Sequence, residues 1–297
     1  MYPAPFNYHR PESLQAAIAL LARYGDDAKV MAGGQSLIAM MKLRMGETAQ
    51  VIDIGRLADL SYIEERGDKL CIGALLTHAE IGASVLAQKV PALADAGNGI
   101  ADRQVRNMGT IGGGLCVADA SGDWPTSLRC LDVKVVIRGV QGVRQVSIAD
   151  FVLDSYSTCL ASDEIVTEVQ VPLHEANSSS AYVAFKRSAA AFPTSSAGMQ
   201  LTMDGDRCKA ASIVLGCAGP AAVVSADAND CLVGKVIDSE SLQEAADLIV
   251  AVSEPPPDAR GSVVFKRAMS KSLVVEAGLR ALARCRGEVV KGGHRYA

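Results

Sequence analysis

The sequence predicts an α+β fold. In the first half of the chain, short apolar runs typical of buried strands lie between segments with helical spacing, and paired strand-like runs flank glycine-containing turns. The second half contains further strand-like runs and then ends in two helical segments, 241–253 and 262–286. In a chain of 297 residues, these groups of elements indicate two N-terminal lobes and a C-terminal domain.

The first lobe is predicted to begin with an amphipathic helix. Leu14, Ile18 and Leu21 recur at helical spacing, and Gly25 is placed to end the helix. The predicted elements that follow are a short strand at 29–32, a helix at 37–45 and a buried strand at 51–54. The glycines at 33 and 34 therefore lie at a strand-to-helix junction.

The rest of the chain divides into a second lobe and a C-terminal domain. The predicted elements are a hairpin at 62–72, helices at 77–85 and 91–108, a short helix from 123, a hairpin at 133–148, strands at 165–171, 182–186, 196–203 and 210–217, and the two final helices. Residues 109–114 contain too many glycines to be predicted as helix. Polar residues at 175–180 favour a domain boundary there, and the tail at 291–297 is predicted to be mobile.

Composition and charge exclude several classes of protein. The net charge is −4 and no basic run is present, so nucleic acid is not expected as a partner. The N-terminus lacks a secretory pattern, and no apolar stretch reaches the about 18 residues of a membrane span, so we expect a cytoplasmic protein. The eight cysteines include no CxxC pair and are predicted to be mostly reduced core residues.

The first glycine segment, Ala32 to Ser36, allows two interpretations. Without side chains, Gly33 and Gly34 let backbone N–H groups approach a phosphate, and Ser36 and the following helix add favourable interactions. The same residues also suit a tight turn in which Gln35 and Ser36 cap the helix. The segment alone does not decide between them.

The second glycine segment, Thr110 to Gly114, strengthens the phosphate interpretation. Three consecutive glycines are costly to order, so they usually mark close backbone approach or positive φ angles, although a flexible turn remains an alternative. Neither segment has the Lys-Ser or Lys-Thr pair of a P-loop or the spaced glycines of a dinucleotide-binding Rossmann motif. ATP and NAD are therefore disfavoured as principal ligands.

Together the two segments resemble the FAD-binding medium subunit of molybdenum hydroxylases, the group that includes carbon monoxide dehydrogenase and xanthine dehydrogenase. The motifs are AGGQSL at 32–37 and VRNMGTIGG at 105–113, with supporting matches at 8–14, 52–54, 72–74, 163–165 and 185–187. The resemblance implies a two-lobed FAD-binding domain of the PCMH or vanillyl-alcohol-oxidase type at 1–176, with lobes at about 1–57 and 58–176. A C-terminal α+β domain with a small antiparallel sheet and helices would occupy 177–297.

The resemblance also implies which residues bind FAD. The two glycine segments would hold its diphosphate and ribityl chain through backbone donors. Asp123 would bind a cofactor hydroxyl, Val166 would contact the adenine side through its backbone, and Lys186 would lie close to the flavin. The complete predicted set is Ala32, Gly33, Gly34, Gln35, Ser36, Leu37, Arg106, Thr110, Ile111, Gly112, Gly113, Gly114, Asp123, Val166, Lys186 and Phe192.

Several members of this set have structural alternatives. Asp123 could cap a helix, Val166 could be strand core, and Lys186 could be solvated. Phe192 matches an aromatic position near the isoalloxazine edge but could be a core residue, and Arg106 could bind a phosphate or donate to a loop carbonyl. The sequence departs from the family at Gly114, where Asn or Asp is usual, at Ala191, where Asp is common, and at Ser121, where proline is frequent.

No residue is predicted to be a substrate catalyst or a metal ligand. The four histidines, at 9, 78, 174 and 294, have no HxxxH or CxxC partner and are expected at the surface or at helix caps. Cys116 has no nearby histidine in the sequence to activate it, which favours a small apolar core residue over a nucleophile.

The family resemblance implies a division of labour among subunits. Hydroxylation would occur at a molybdenum cofactor in a large partner subunit, and electrons would reach FAD in this chain through two 2Fe-2S clusters in a small partner subunit. FAD would pass them to an external acceptor. The implied assembly is a dimer of heterotrimers, and Lys186 is the candidate for tuning the flavin. A stand-alone flavin oxidoreductase and a cofactor-free scaffold subunit are the alternatives.

Overall fold

The computed structural model describes residues 2–292 and the backbone of residues 295–296. The N-terminal sheet is parallel and has three strands, with β3 in the centre between β1 and β2. The elements of this region are β1 (Asn7–His9), α1 (Leu14–Tyr24), β2 (Ala28–Met31), α2 (Leu37–Leu43) and β3 (Gln50–Asp53). The strand–glycine–helix unit that was predicted around residues 33 and 34 is present between β2 and α2.

Local chemistry explains the first helix. The Ser13 side chain accepts a hydrogen bond from the backbone N–H of Ala16 at 3.2 Å, and Gly25 ends the helix with a φ of 55°. Ala17 and Leu21 are buried against a small core that includes Ile52 of β3. The predicted amphipathic helix is confirmed at these positions.

The middle sheet is antiparallel, with the strand order β4-β5-β10-β6-β7, and a separate hairpin is formed by β8 and β9. The strands are β4 (Ile63–Arg66), β5 (Lys69–Gly73), β6 (Lys134–Gly139), β7 (Gly142–Ser147), β8 (Val152–Asp154), β9 (Ser157–Thr158) and β10 (Ile165–Pro172). The helices of this region are α3 (His78–Ala83), α4 (Pro91–Gly99), α5 (Arg103–Arg106), α6 (Ile111–Val117), α7 (Asp123–Arg129) and α8 (Ile148–Phe151).

Residues 111–114 are helical, which corrects the prediction for these positions, whereas Gly109 and Thr110 lie outside the helix as predicted. Thr110 caps α6, and its side chain accepts a hydrogen bond from the N–H of Gly113 at 3.1 Å. Tertiary contacts explain the helix: a Cβ atom at Gly112 would lie 2.6 Å from the Cβ of Ala74. Glycine is needed here for close packing on the neighbouring chain, and this packing outweighs its low helix propensity.

The C-terminal sheet has the strand order β14-β13-β12-β11-β15. Its elements are β11 (Ser178–Lys186), β12 (Ser195–Asp204), β13 (Arg207–Gly216), β14 (Val223–Val224), α9 (Ala226–Asp230), α10 (Ser239–Ala251), α11 (Val263–Cys285) and β15 (Arg295–Tyr296). Three serines of the predicted boundary, residues 178–180, belong to β11. The prediction of a mobile tail is wrong for β15, which pairs in parallel with β11, while positions 293, 294 and 297 lie outside the described residues.

The core continues from the middle sheet region into the C-terminal sheet. One hydrophobic cluster contains Trp124 and Leu128 of α7 together with Tyr182 and Val214 of the C-terminal sheet. The helix lies so close to this sheet that a Cβ atom at Gly216 would lie 2.2 Å from the Thr126 hydroxyl oxygen. Tight packing of this kind holds α7 in a fixed position. Among the described residues, no helix is long and apolar enough to cross a membrane.

A buried ion pair also joins these two regions. Arg284 of α11 donates to both carboxylate oxygens of Asp95 in α4, at 2.7 and 2.8 Å. The same guanidinium donates to the carbonyl of Ser180, and the backbone N–H of Tyr182 donates to Asp95 at 3.0 Å. The side chains of Arg284 and Asp95 are only 8% and 3% exposed. Removal of either partner would leave a buried charge without its counter-ion.

We therefore expect Asp95→Ala to lower the free energy of unfolding by about 3 kcal/mol. Urea denaturation of the variant would measure the change. The matched control is Glu244→Ala, which removes the exposed pair between Lys235 and Glu244 and should leave stability almost unchanged. Equal effects of the two substitutions would show that the Asp95–Arg284 pair does not stabilise the interface.

Candidate functional site

The first glycine segment turns sharply between β2 and α2. Gly34 has a φ of 71°, a conformation that glycine adopts without strain. Gly33 lies against the chain immediately before the second glycine segment, since a Cβ atom at this position would be 1.8 Å from the carbonyl oxygen of Met108. Both glycines are therefore required by the structure, one for its backbone angles and the other for space.

The same segment presents unused hydrogen-bond donors. Within the described part of the chain, the backbone N–H groups of residues 33–37 donate no hydrogen bond to another protein group. The side chain of Gln35 is exposed and donates to the carbonyl of Gly33 at 3.3 Å, and Ser36 is half-buried. No acidic side chain lies in the first turn of α2. Such a run of free donors suits an anionic group.

The second glycine segment offers fewer donors. Every N–H group from Ile111 to Gly114 already donates to a protein acceptor: Ile111 to Leu76, Gly112 to Ala74, and Gly113 and Gly114 to Thr110. The expectation that this segment supplies a set of backbone donors is therefore corrected. It contributes a surface without side chains beside the N–H and hydroxyl groups of Thr110.

The fold brings the two segments together. Gly33 contacts Met108 and Gly109, and a Cβ atom at Gly113 would lie 3.9 Å from the Cβ of Ala32. Gly33, Gly113 and Gly114 are half-buried, so the joint surface remains open on one side. A flat or elongated ligand could lie along it without meeting side chains.

His78 and Trp124 pack against the second glycine segment and the residue before it. The indole N–H of Trp124 donates to Nδ1 of His78 at 3.0 Å. Cβ atoms at Gly109 and Gly114 would lie 2.6 Å from Nε2 of His78 and 2.8 Å from Cδ1 of Trp124, respectively. This contact explains why glycine stands at position 114, where Asn or Asp is usual in the family. An Asn or Asp side chain would have to displace the indole ring.

Sequence reasoning missed this supporting pair. His78 was expected at the surface or at a cap, yet it is 6% exposed. Burial lowers the pKa of His78 to about 4, with a smaller opposing effect of Asp123, so the ring is neutral at physiological pH. The clue in the sequence was the apolar run at 70–76, which continues directly into the capped helix that carries His78.

Asp123 and Lys186 form a buried ion pair across the interface of α7 and β11. The ammonium nitrogen lies 3.0 Å from Oδ1 of Asp123 and donates to the carbonyl of Gly99 at 2.9 Å. The hydroxyl group of Tyr182 also donates to Asp123, at 3.0 Å. Lys186 is 0% exposed, so the alternative of a solvated lysine is wrong. Its predicted position close to the flavin stays a prediction.

Four other predicted residues have distinct environments. Arg106 donates to the carbonyls of Ile100 and Ala101, so the loop-carbonyl alternative holds for this residue. Val166 is 4% exposed within the middle sheet, and a contact through its backbone stays a prediction. The ring of Phe192 is 51% exposed and is not a core residue. Asp123 follows the cap residue Gly122 and does not cap α7.

Neither a metal site nor a nucleophile is indicated by the described residues. They contain no group of three or more His, Cys, Asp or Glu side chains that could hold a metal ion, and His294 lies outside them. All eight cysteines are free. Cys116 is exposed, so its prediction as a core residue is wrong, whereas Cys71, Cys130, Cys208 and Cys217 are buried as expected.

The neutral state of His78 predicts a pH dependence of stability. The pKa of His78 is about 4 in the folded protein, compared with 6.5 for an ordinary histidine in the unfolded chain. Above pH 6.5 the ring is neutral in both states and the protein keeps its full stability. As the pH falls from 6.5 towards 4, the unfolded chain binds a proton that the folded protein does not, so the free energy of unfolding decreases. Between about pH 7 and pH 5 this loss amounts to about 2 kcal/mol. We expect His78→Asn, which keeps an acceptor for Trp124, to lose less stability over this range than the parent protein. Parallel denaturation curves for the two proteins would contradict this expectation.

The contact between the two segments predicts a steric effect. Gly33→Ala should lower the free energy of unfolding by about 2 kcal/mol, because the added Cβ meets a backbone carbonyl that cannot rotate away. Gly219→Ala is the control, since its Cβ would lie 3.2 Å from a methyl group of Val223, a side chain that can adjust. Chemical denaturation compares both variants, and similar stabilities would argue against a rigid contact at Gly33.

The chain matches two families over consecutive regions. Residues 4–174 match the family described as FAD binding domain in molybdopterin dehydrogenase. Residues 180–281 match the CO dehydrogenase flavoprotein C-terminal domain. The first match contains both glycine segments and the pair of His78 and Trp124.

Related proteins and structures agree with these matches. The carbon monoxide dehydrogenase medium chain of Afipia carboxidovorans is 36% identical over 287 residues, which cover 96% of this chain and 100% of the relative. A structure of carbon monoxide dehydrogenase from Hydrogenophaga pseudoflava has a TM-score of 0.93 at 37% identity, covering 96% of this chain and 100% of that one. Quinoline 2-oxidoreductase from Pseudomonas putida 86 has a TM-score of 0.90 at 32% identity, with coverage of 96% and 99%. This chain therefore belongs to the family of FAD-binding medium subunits of molybdenum hydroxylases.

Proposed function

We propose that this chain holds FAD against its two glycine segments and acts as the electron-transfer subunit of a molybdenum hydroxylase. The observation that carries the proposal is the run of free N–H groups at 33–37. This run lies against Met108 and Gly109 because Gly33 has no side chain. Free backbone donors, with no acidic residue in the first turn of α2, suit the diphosphate of a dinucleotide. The half-buried glycine surface beside them allows close approach of the rest of the cofactor.

We propose two different roles for the predicted site residues. We assign direct FAD contact to the exposed Phe192, to the backbone of Val166, and to the two segments, Ala32, Gly33, Gly34, Gln35, Ser36, Leu37, Thr110, Ile111, Gly112, Gly113 and Gly114. Arg106, Asp123 and Lys186 hold the surrounding chain through their buried or loop contacts. Residues of the second group would affect FAD binding only indirectly, by fixing the positions of the residues that contact FAD.

Bound FAD supplies the exchange of electrons between an iron–sulfur donor and an external acceptor. The proposed partners are a small subunit with 2Fe-2S clusters and a large subunit with the molybdenum cofactor, in a dimer of heterotrimers. The role of this chain is to bind and orient the flavin and to exclude water from it. The relatives include a carbon monoxide dehydrogenase medium chain and a quinoline 2-oxidoreductase, whose names indicate different substrates. This supports a role for the present chain that does not depend on the substrate.

The proposal includes the domain limits and the location of the protein. The FAD-binding domain would comprise residues 1–176, with lobes at about 1–57 and 58–176, and the C-terminal domain would comprise 177–297. The start of β11 at Ser178 and the change of family match between 174 and 180 support the boundary. We place the protein in the cytoplasm, and its eight free thiols support a reducing compartment.

The direct test is an absorption spectrum of the purified chain, followed by acid release and identification of the nucleotide. We expect near-stoichiometric FAD, and we expect large and small subunits to co-purify from the native host. Flavin without such partners would favour a stand-alone oxidoreductase. A colourless chain that also fails to take up added FAD would leave a scaffold subunit as the better account.

A charge substitution tests the position of the diphosphate. Ser36→Asp should weaken FAD binding about tenfold, because a carboxylate beside the free N–H groups repels an anionic ligand. Ser272→Asp is the matched control, a half-buried serine in α11 away from both glycine segments, and it should bind FAD like the parent chain. Titration of apo-protein with FAD, followed by flavin fluorescence, gives both affinities. Equal affinities would place the diphosphate elsewhere.

A further inference from the structure

Arg260 lies in the connection between α10 and α11 and contacts three separate parts of the chain. One guanidinium nitrogen, Nη1, donates to the hydroxyl group of Ser121 at 3.0 Å and to the carbonyl of Pro193 at 3.1 Å. A second, Nε, donates to Asp258 in its own loop at 2.9 Å. The guanidinium thereby links the α10–α11 connection, the β11–β12 loop and the segment between α6 and α7.

The arginine is held in place by a fixed ion pair. Asp258 accepts from the backbone N–H of Arg260 at 2.8 Å and lies 3.0 Å from the ammonium group of Lys266. Lys266 is 1% exposed and also donates to the carbonyl of Pro256 at 2.6 Å. A guanidinium fixed in this way loses little freedom when it binds other groups.

The two outer contacts of Arg260 are close in sequence to residues of the proposed cofactor site. Ser121 is 7% exposed and follows α6, the helix that starts with the second glycine segment. Pro193 follows Phe192, whose exposed ring is proposed to contact the flavin. The same carbonyl of Pro193 accepts a hydrogen bond from the thiol of Cys217 at 3.3 Å. The loop with Phe192 is thus anchored at Pro193, immediately beyond the ring.

We propose that Arg260 is a positioning residue that fixes Phe192 relative to the second glycine segment, and so sets how this ring covers the flavin. The part that concerns the flavin rests on the proposed function. Four of the five guanidinium N–H donors of Arg260 are directed at Ser121, Pro193 and Asp258, so the role proposed for it is positioning and not cofactor contact. This role also explains why serine stands at position 121, where proline is frequent in the family, because proline would lack the hydroxyl group that Arg260 contacts.

The anchor can be tested without cofactor, by hydrogen–deuterium exchange of the apo-protein. Arg260→Gln should increase exchange of the segment 187–194 about tenfold, since it removes charged hydrogen bonds to the loop. Ser121→Ala, which removes one acceptor and no charge, should change the same segment less. Arg207→Gln is the control, because Arg207 donates to the carbonyl of Gly234 at 2.6 Å and should leave 187–194 unchanged. Unchanged exchange of this segment in both Arg260→Gln and Ser121→Ala would overturn the proposal.

The link to the flavin is tested with a double-mutant cycle on FAD-loaded protein. Phe192→Ala and Arg260→Gln should each change flavin fluorescence and speed FAD release, and the double variant should resemble Phe192→Ala alone. Effects that add fully would show that Arg260 does not act through Phe192. If the parent chain takes up no FAD, the proposed function fails, whereas the exchange experiment still decides whether Arg260 anchors the loop.

Discussion

The backbone of Gly33 lies against the carbonyl group of Met108, at a distance that leaves no room for a side chain. This contact places the junction of β2 and α2 beside the start of α6. The free N–H groups of residues 33–37 and the side-chain-free surface of α6 become one surface because of it. Since both sides of the contact are backbone, no change of side-chain rotamer could relieve a larger residue at position 33.

The second glycine segment in turn depends on what lies beneath it. His78 and Trp124 fill the space that side chains at positions 109 and 114 would occupy, and the indole N–H of Trp124 donates to Nδ1 of His78. Trp124 belongs to α7, which packs on the C-terminal sheet at Gly216. The geometry of the glycine surface is therefore connected to a domain interface that contains no proposed FAD contact.

Two buried ion pairs cross that interface, Asp95 with Arg284 and Asp123 with Lys186. The net stabilisation from each pair is small, because each charge loses its hydration on burial and this penalty offsets the attraction between the charges. Each pair has one definite set of partners, however, and is satisfied only when α4 and α7 lie in one orientation on the C-terminal sheet. The pairs thus favour a single arrangement of the two regions. Arg260 extends this arrangement to the loop that carries Phe192.

Local patterns were sufficient for most of the fold. The spacing of Leu14, Ile18 and Leu21, followed by Gly25, predicted α1, because a helix of this kind depends mainly on neighbouring residues. Glycine runs predicted where the backbone must approach other groups. The helical start at Thr110 was not predictable in the same way, since it depends on carbonyl groups of Ala74 and Leu76 far away in the sequence.

The sequence by itself determined most of the element types, the two glycine segments and, through their motifs, the family. Only the tertiary structure decided what each polar side chain does. It buried Lys186 with Asp123, turned Arg106 towards loop carbonyls and left Phe192 exposed. The physical reason is that burial and ion pairing are set by partners distant in the chain, whereas strand, helix and turn preferences are set by neighbours.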